Sequence, residues 1–360
     1  MKLGINSLKA LNPRRIKYTG KGNYAYVTAR VKGKKRNLMT VDTYPKLMKM
    51  GTSQIARLLS EAAYHREMNE LARQYSGNEL VERALNRNLA RTYREILDFS
   101  KGDLKRMLEA YLDWWNVYNI KVVLRGIHHG IPPEEVKEYI VPAGSLEKDF
   151  LDGLTECEDV NQAMDELEEL GYRTPPLDCK DGLCELGIGL RMIEDYYDRS
   201  YYTALLDSVK GRSKPIKIYR DFIRRSIDVL NAKNLMELIL EGFEPGTVGD
   251  YMIPGGNLLP EEKLIEIASL EPDAALAEIK KAMGTDLGGV EARTANQIAV
   301  QLDKHLMEYS SKLSYIYPLS IIPIIDFIIR KEKETKFIRI IVKGKEHSLP
   351  EGRIKELLAI

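Results

Sequence analysis

Residues 120–140 read IKVVLRGIHHGIPPEEVKEYI, and residues 338–358 read IRIIVKGKEHSLPEGRIKELL. Set in register without a gap, the two segments share Ile120 with Ile338, Gly126 with Gly344, His129 with His347, Pro132 with Pro350 and Lys137-Glu138 with Lys355-Glu356. Several positions between are conservative exchanges, such as Lys121 for Arg339 and Val136 for Ile354. A segment spelled twice is expected to fold the same way twice, so internal repetition constrains the architecture more than any other feature of this chain.

The middle of the chain joins the pattern. DWWNVYN at 113–119 matches DVLNAKN at 228–234, pairing Asn116 with Asn231 and Asn119 with Asn234. Downstream, Tyr139, Pro142, Gly144 and Leu146 recur as Tyr251, Pro254, Gly256 and Leu258, and upstream LDFSKG at 97–102 returns as LDSVKG at 206–211. The chain therefore divides into three units, 1–130, 131–245 and 246–360, the second carrying an insertion at 171–187 that holds Cys179 and Cys184.

The repeat unit reads as helical, and the fold class as all-α. In residues 52–75, Ile55, Leu58, Leu59, Ala62 and Ala63 fall at helical spacing behind a capping Thr52 or Ser53. Residues 161–171 repeat that logic, with Gly171 as the stop, and Pro272 separates two short helices. IKVVLRG is β-branched and resembles a strand, but its counterpart in the middle unit, NLMELILEG, is a strong helix former. One repeat takes one structure, so all three read as helix, with Gly126, Gly242 and Gly344 at the C-terminal stops and Pro132 and Pro350 opening the next helix. The most apolar run, Leu313–Ile329, contains two prolines and Asp326 and reads as a buried, kinked helix, short for a membrane span.

Composition narrows function mainly by exclusion. Lys+Arg 54 against Asp+Glu 53 leaves a formal charge of +1, which argues against a nucleic-acid binder. Three cysteines without an apolar N-terminal leader fit a reducing compartment, and Cys179 with Cys184 lacks the further ligand pair a zinc site needs. His128 and His129 could serve a metal-dependent hydrolase, but no carboxylate or cysteine recurs beside them, so a turn role is expected. Phosphate loops, dinucleotide fingerprints, nucleophile elbows and His-Glu-x-x-His are absent from the sequence. No catalytic, cofactor-binding or metal-ligating residue is assigned, and no small-molecule substrate or cofactor is expected. Of the adjacent Trp114 and Trp115, one reads as core and the other as core or interface anchor. The basic run at 31–36 is a solvated face or a patch for a phosphate or an acidic partner.

YAYVTARVKGKKRNLM at 24–39, YPKLMKMGTSQIARLLSEAAYHREMNELA at 44–72, ALNRNLARTYREIL at 84–97 and YLDWWNVYNIKVVLRG at 111–126, followed by VPAG, occur in that order. Together they resemble the C subunit of archaeal-type (A/V-type) rotary ATP synthases, the counterpart of the d subunit of the eukaryotic vacuolar ATPase. The resemblance implies three similar helical modules in a pseudo-threefold funnel. It also implies a non-catalytic central-stalk adaptor at the cytoplasmic face of the cell membrane, peripheral to it, with the stalk subunits and the proteolipid ring as partners. Tyr26, Arg30, Lys32, Lys34, Lys35 and Arg36 are the interface candidates, because that block carries much of the resemblance. The alternative expectation is a generic helical-repeat scaffold for soluble partners, built as an open superhelix.

Overall fold

In a computed structural model of the chain, residues 21–175, 188–286 and 294–358 are described. The elements among them are helical, with one isolated bridge between Gly22 and Gly102. The chain begins with α1 (Tyr24–Lys35), α2 (Thr43–Lys49), α3 (Thr52–Glu61), α4 (His65–Leu71), the long α5 (Gly77–Phe99), α6 (Asp103–Leu112), α7 (Trp114–His128) and α8 (Pro133–Tyr139). It continues with α9 (Lys148–Leu154), α10 (Val160–Glu169), the long α11 (Ile188–Ser208) and α12 (Lys214–Leu240), and a 3-10 helix at Pro245–Tyr251. The last elements are α13 (Glu261–Ala268), α14 (Pro272–Met283), the long α15 (Ala295–Ile316) and α16 (Ile322–Glu346), and α17 (Glu351–Leu358). IKVVLRG is thus helical, inside α7. The loop cysteines Cys179 and Cys184 lie outside the described residues.

The repeated joint is built the same way three times. Gly130, Gly242 and Ser348 follow α7, α12 and α16 with φ of 63°, 76° and 53°, the left-handed region that ends helices. The next N–H then donates back into the last turn: Ile131 to the Gly126 carbonyl at 2.9 Å, Phe243 to Leu238 at 3.0 Å and Leu349 to Gly344 at 2.7 Å. Gly242 is a stop as expected, but Gly126 and Gly344 are not; they lie within the last turns of α7 and α16. Packing requires glycine there. A Cβ on Gly126 would stand 2.4 Å from Val136, and one on Gly344 2.8 Å from Ile354, because α8 and α17 fold back closely. His129 and His347 are the C-cap residues of this joint.

A buried polar clasp ties two of these helices to the loops that follow. The Asn119 amide donates to the Val141 carbonyl at 2.7 Å, and its Oδ1 accepts from the Val141 N–H at 2.8 Å. Asn231 treats Ile253 identically, at 2.8 Å for both bonds. One turn earlier, Asn116 Oδ1 accepts from the Leu146 N–H at 3.0 Å, while Asp228 Oδ1 accepts from Asn257 at 2.9 Å and from Leu258 and Leu259 at 3.1 Å. Gly144 and Gly256 bring the loop backbone close; a Cβ would fall 2.1 Å from Asn116 Oδ1 and 2.4 Å from Asp228 Oδ1. The counterpart of Asn119 is therefore Asn231, and that of Asn116 is Asp228. The sequence pairing of Asn116 with Asn231 and Asn119 with Asn234 was one turn out of register. Asparagines three apart lie on nearly the same helix face, so a slip of one turn preserves the pattern, and only the loop partner sets the register.

The last long helix grips the start of the chain. Glu334 accepts from the Met39 N–H and from the Tyr64 hydroxyl, the latter at 2.7 Å, and Lys331 Nζ lies 2.8 Å from both Glu334 and Tyr64. All three side chains are buried. Desolvation pulls the Lys331 ammonium below its usual range, and the Glu334 carboxylate opposes that shift. One apolar core joins Leu47, Ile55, Leu59 and Leu85 to Ile338, Ile341, Ile354 and Leu358, so the two ends of the chain share a core.

Two helix expectations change. Residues 52–75 form two helices, broken where Ala62 is extended, and the first is capped at Gly51, whose N–H donates to Gln54 Oε1 at 2.9 Å. Leu313–Ile329 is not one kinked helix. It is a hairpin: α15 ends at Ile316, and α16 opens with Pro323 in its first turn, where a missing N–H costs nothing. Ile321–Ile328 is buried, but the tip before it is not.

Asn119→Ala and Asn231→Ala each strand a buried N–H and a buried carbonyl. Each is expected to lower unfolding stability by about 2–4 kcal/mol, whereas Asn234→Ala should cost less than about 1 kcal/mol. Urea midpoints of the three variants check the register directly.

Candidate functional site

The long helices surround a cavity of about 460 Å³. Trp114, Tyr118 and Lys121 reach it from α7, Tyr202 and Asp198 from α11, Lys233 from α12, Asp303 and Met307 from α15, and Glu332, Lys336 and Arg339 from α16. The helix pattern explains this composition. On these helices the aromatic and charged residues that face the cavity alternate with positions packed in the apolar cores, and α16 is buried on most of its sides.

Ion pairs at equivalent places bind each long helix to a neighbour. Lys121 on α7 meets Asp198 on α11 at 2.7 Å, Lys233 on α12 meets Asp303 on α15, and Arg339 on α16 meets Glu82 on α5 at 2.7 Å. The last pair brings the final long helix back to the first. Glu82 is buried, so its charge depends on Arg339 for compensation.

Aromatic rings fill one wall. Trp115 is buried, and Trp114 is half-buried and lines the cavity; their centroids are 5.2 Å apart, and both contact Tyr118. Glu332 lies beside them, with the Tyr93 hydroxyl donating to it at 3.3 Å. Burial pushes its carboxyl up to about 7, partly opposed by hydrogen bonds from Tyr93 and Trp115.

The basic block divides. Tyr26, Arg30, Lys32 and Arg36 are exposed, and the Arg30 guanidinium sits 5.8 Å from the Tyr26 ring centroid and 5.0 Å from that of Phe99. Lys34 and Lys35 turn inward instead: Lys34 pairs with Glu95 on α5, and Lys35 pairs at 2.6 Å with the buried Asp326 of α16. Asp326 also accepts from Ser311 at 2.7 Å and stays ionised below the usual carboxylate range, because these partners outweigh its desolvation. Lys34 and Lys35 are thus structural ties between α1 and the long helices. Sequence reasoning missed Glu332, Lys233 and Lys336; the recurrence of Lys121 as Arg339 was the available signal for the ion-pair series.

His128 and His129 stack edge to face at 4.9 Å, and the described residues contain no group of three or more His, Cys, Asp or Glu that could hold a metal. Cys157 is half-buried, and burial raises its thiol above the usual range.

The Glu332 carboxyl is raised from 4.5 in its unperturbed form to about 7 in the fold. The folded state then holds a proton that the unfolded state has lost, so this group's contribution to stability falls as pH rises from about 4.5 through 7. Glu332→Gln is expected to melt higher than the parent at pH 8, with the gap closing as pH falls towards 4.5. Thermal melts across that window measure it.

Residues 27–357 match the family described as ATP synthase (C/AC39) subunit. The A-type ATP synthase C subunit of Methanococcoides burtonii is 36% identical over 343 residues, covering 94% of each chain. The proteins of the same name from Haloferax volcanii and Archaeoglobus fulgidus are 32% and 31% identical, covering 95% and 94% of this chain and 99% and 98% of their own lengths. With a match along nearly its whole length and relatives above 30% identity, the chain belongs to the ATP synthase C/AC39 subunit family.

Proposed function

We propose that this chain is the non-catalytic central-stalk adaptor of an A-type rotary ATP synthase, seated between the stalk shaft and the membrane proteolipid ring and carrying torque between them. Its relatives are named as the C subunit of that synthase, so the partners are other subunits of the complex. Membrane association is then peripheral, through the ring, at the cytoplasmic face. In this reading three helical modules, 1–130, 131–245 and 246–360, form a funnel about a pseudo-threefold axis, and the cavity is the socket for the foot of the stalk.

The observation that carries the reading is the series of ion pairs from α7 to α11, α12 to α15 and α16 to α5, which returns the end of the chain to its beginning around a cavity. An open superhelix leaves its terminal repeats apart, whereas here α16 and α17 share a core with α2 to α5. A part that transmits torque needs such closure, because twisting an open stack separates its ends. The charged rim suits docking between protein faces, where complementarity sets register and association rate. Tyr26, Arg30, Lys32, Lys34, Lys35 and Arg36 remain candidates for a second contact outside the cavity, Lys34 and Lys35 through the part of each side chain that their ion pairs leave exposed.

Mixed at low salt with purified stalk subunits and a detergent-solubilised proteolipid ring, the chain is expected to co-elute with both. Affinity for neither would sink the reading. Lys333 and Lys336 of α16 both line the cavity, and replacing the two with glutamine should weaken stalk binding at least about tenfold while ring binding stays near that of the parent, with thermal melts checking that the variant is folded.

A further inference from the structure

Three turns join consecutive long helices or their equivalents, and one differs in kind. The α5–α6 turn is Ser100-Lys101-Gly102, and the α11–α12 turn runs from the buried Val209 through Lys210, Gly211 and Arg212. The end of α15 and the turn after it read Tyr315-Ile316-Tyr317-Pro318-Leu319. There Tyr315 is 89% exposed, Leu319 65% and Ile316 49%. Neighbouring large apolar side chains left in water at one tip mark a surface that another body covers.

Cations surround this tip. Lys214, at the start of α12, places its ammonium 5.2 Å from the Tyr317 ring centroid, which holds the two turns together. Arg212, Lys217 and Lys312 are exposed on the same elements. Lys214 and Lys217 occupy the first turn of α12, which contains no acidic residue. A helix N-terminus disfavours positive charge, so an anion held outside the chain would relieve these lysines. Tyrosine with branched aliphatics, ringed by lysine and arginine, is the chemistry of a segment that lies in the interface of an anionic bilayer. No described helix is long and apolar enough to cross one.

We infer that the tip formed by the α15–α16 turn and the start of α12 docks directly on an anionic lipid surface, with Tyr315, Ile316 and Leu319 entering the headgroup region and Arg212, Lys214, Lys217 and Lys312 neutralising the headgroups. The inference does not depend on the stalk-adaptor reading, since it concerns lipid contact by the chain alone.

The test is co-sedimentation of the full chain with vesicles of phosphatidylcholine alone, or of three parts phosphatidylcholine to one part phosphatidylglycerol. Binding is expected only to the anionic vesicles, with release as salt is raised. Tyr315→Asp with Leu319→Asp, and separately Arg212→Glu with Lys214→Glu, should each lower partitioning at least about tenfold. Lys46→Glu with Arg73→Glu, exposed cations on α2 and just after α4, should leave it unchanged. The substituted residues are exposed, and thermal melts matching the parent establish that each variant is folded. The inference is overturned if the parent chain stays in the supernatant, if it binds neutral vesicles equally well, or if the tip variants sediment like the parent. Retention only on membranes that carry other synthase subunits would also overturn it, and would assign the tip to a protein partner.

Discussion

The fold depends on buried hydrogen bonds that long helices make to loop backbone. Asn119 and Asn231 each satisfy both the N–H and the carbonyl of one loop residue, Val141 or Ile253, 22 positions further on. A loop buried against a helix would otherwise leave those groups unpaired, at a cost of about 1–3 kcal/mol each. With the clasp in place the loop can enter the core, and the short helices after it are set at a defined angle to the long ones. At the far end, Glu334 and Lys331 of α16 do comparable work on Met39 and Tyr64, and here the contact joins residues at opposite ends of the sequence.

That last contact shows how charge is used in this interior. Lys331, Glu334, Glu82 and Asp326 are all buried, and burying ions is costly unless partners are close and well aligned. Each partner here comes from another element or from the adjacent turn: Tyr64 for Lys331, Arg339 for Glu82, Lys35 and Ser311 for Asp326. Apolar helix faces tolerate sliding, whereas a buried ion separated from its partner by one helical turn loses its compensation. These pairs therefore favour a single alignment of α16 against α1 and α5. Rigidity of that kind suits a part that carries load more than one that must open.

Where residues with chemical potential occur, their surroundings give them structural work. His129 and His347 recur because the helix end they cap recurs, and Lys34 and Lys35, prominent in a basic run, are absorbed by Glu95 and Asp326. The cavity gathers Trp114, Tyr118, Glu332 and paired lysines without a metal cluster among the described residues. Such a surface suits the socket role proposed for it, in which shape and charge would set the fit of a protein partner. Family membership and this arrangement point the same way, although they rest on independent observations.

The sequence alone determined the helical class, the recurrence of the joint and the family, because periodicity, proline and glycine placement and ordered motif blocks are local properties. It located the glycines of the joint but not their separate duties. Whether a glycine terminates a helix or makes room for Val136 depends on a residue that only folding brings near. The register of the asparagines was likewise hidden, since a slip of one turn leaves a helical face almost unchanged until a loop carbonyl chooses between the candidates. The apolar run at 313–329 looked like core throughout, and tertiary structure decided that half of it is core and the other half an exposed tip. Pattern reports what a segment can bury; which part has a neighbour to bury it against is settled only when the last long helix returns to the first.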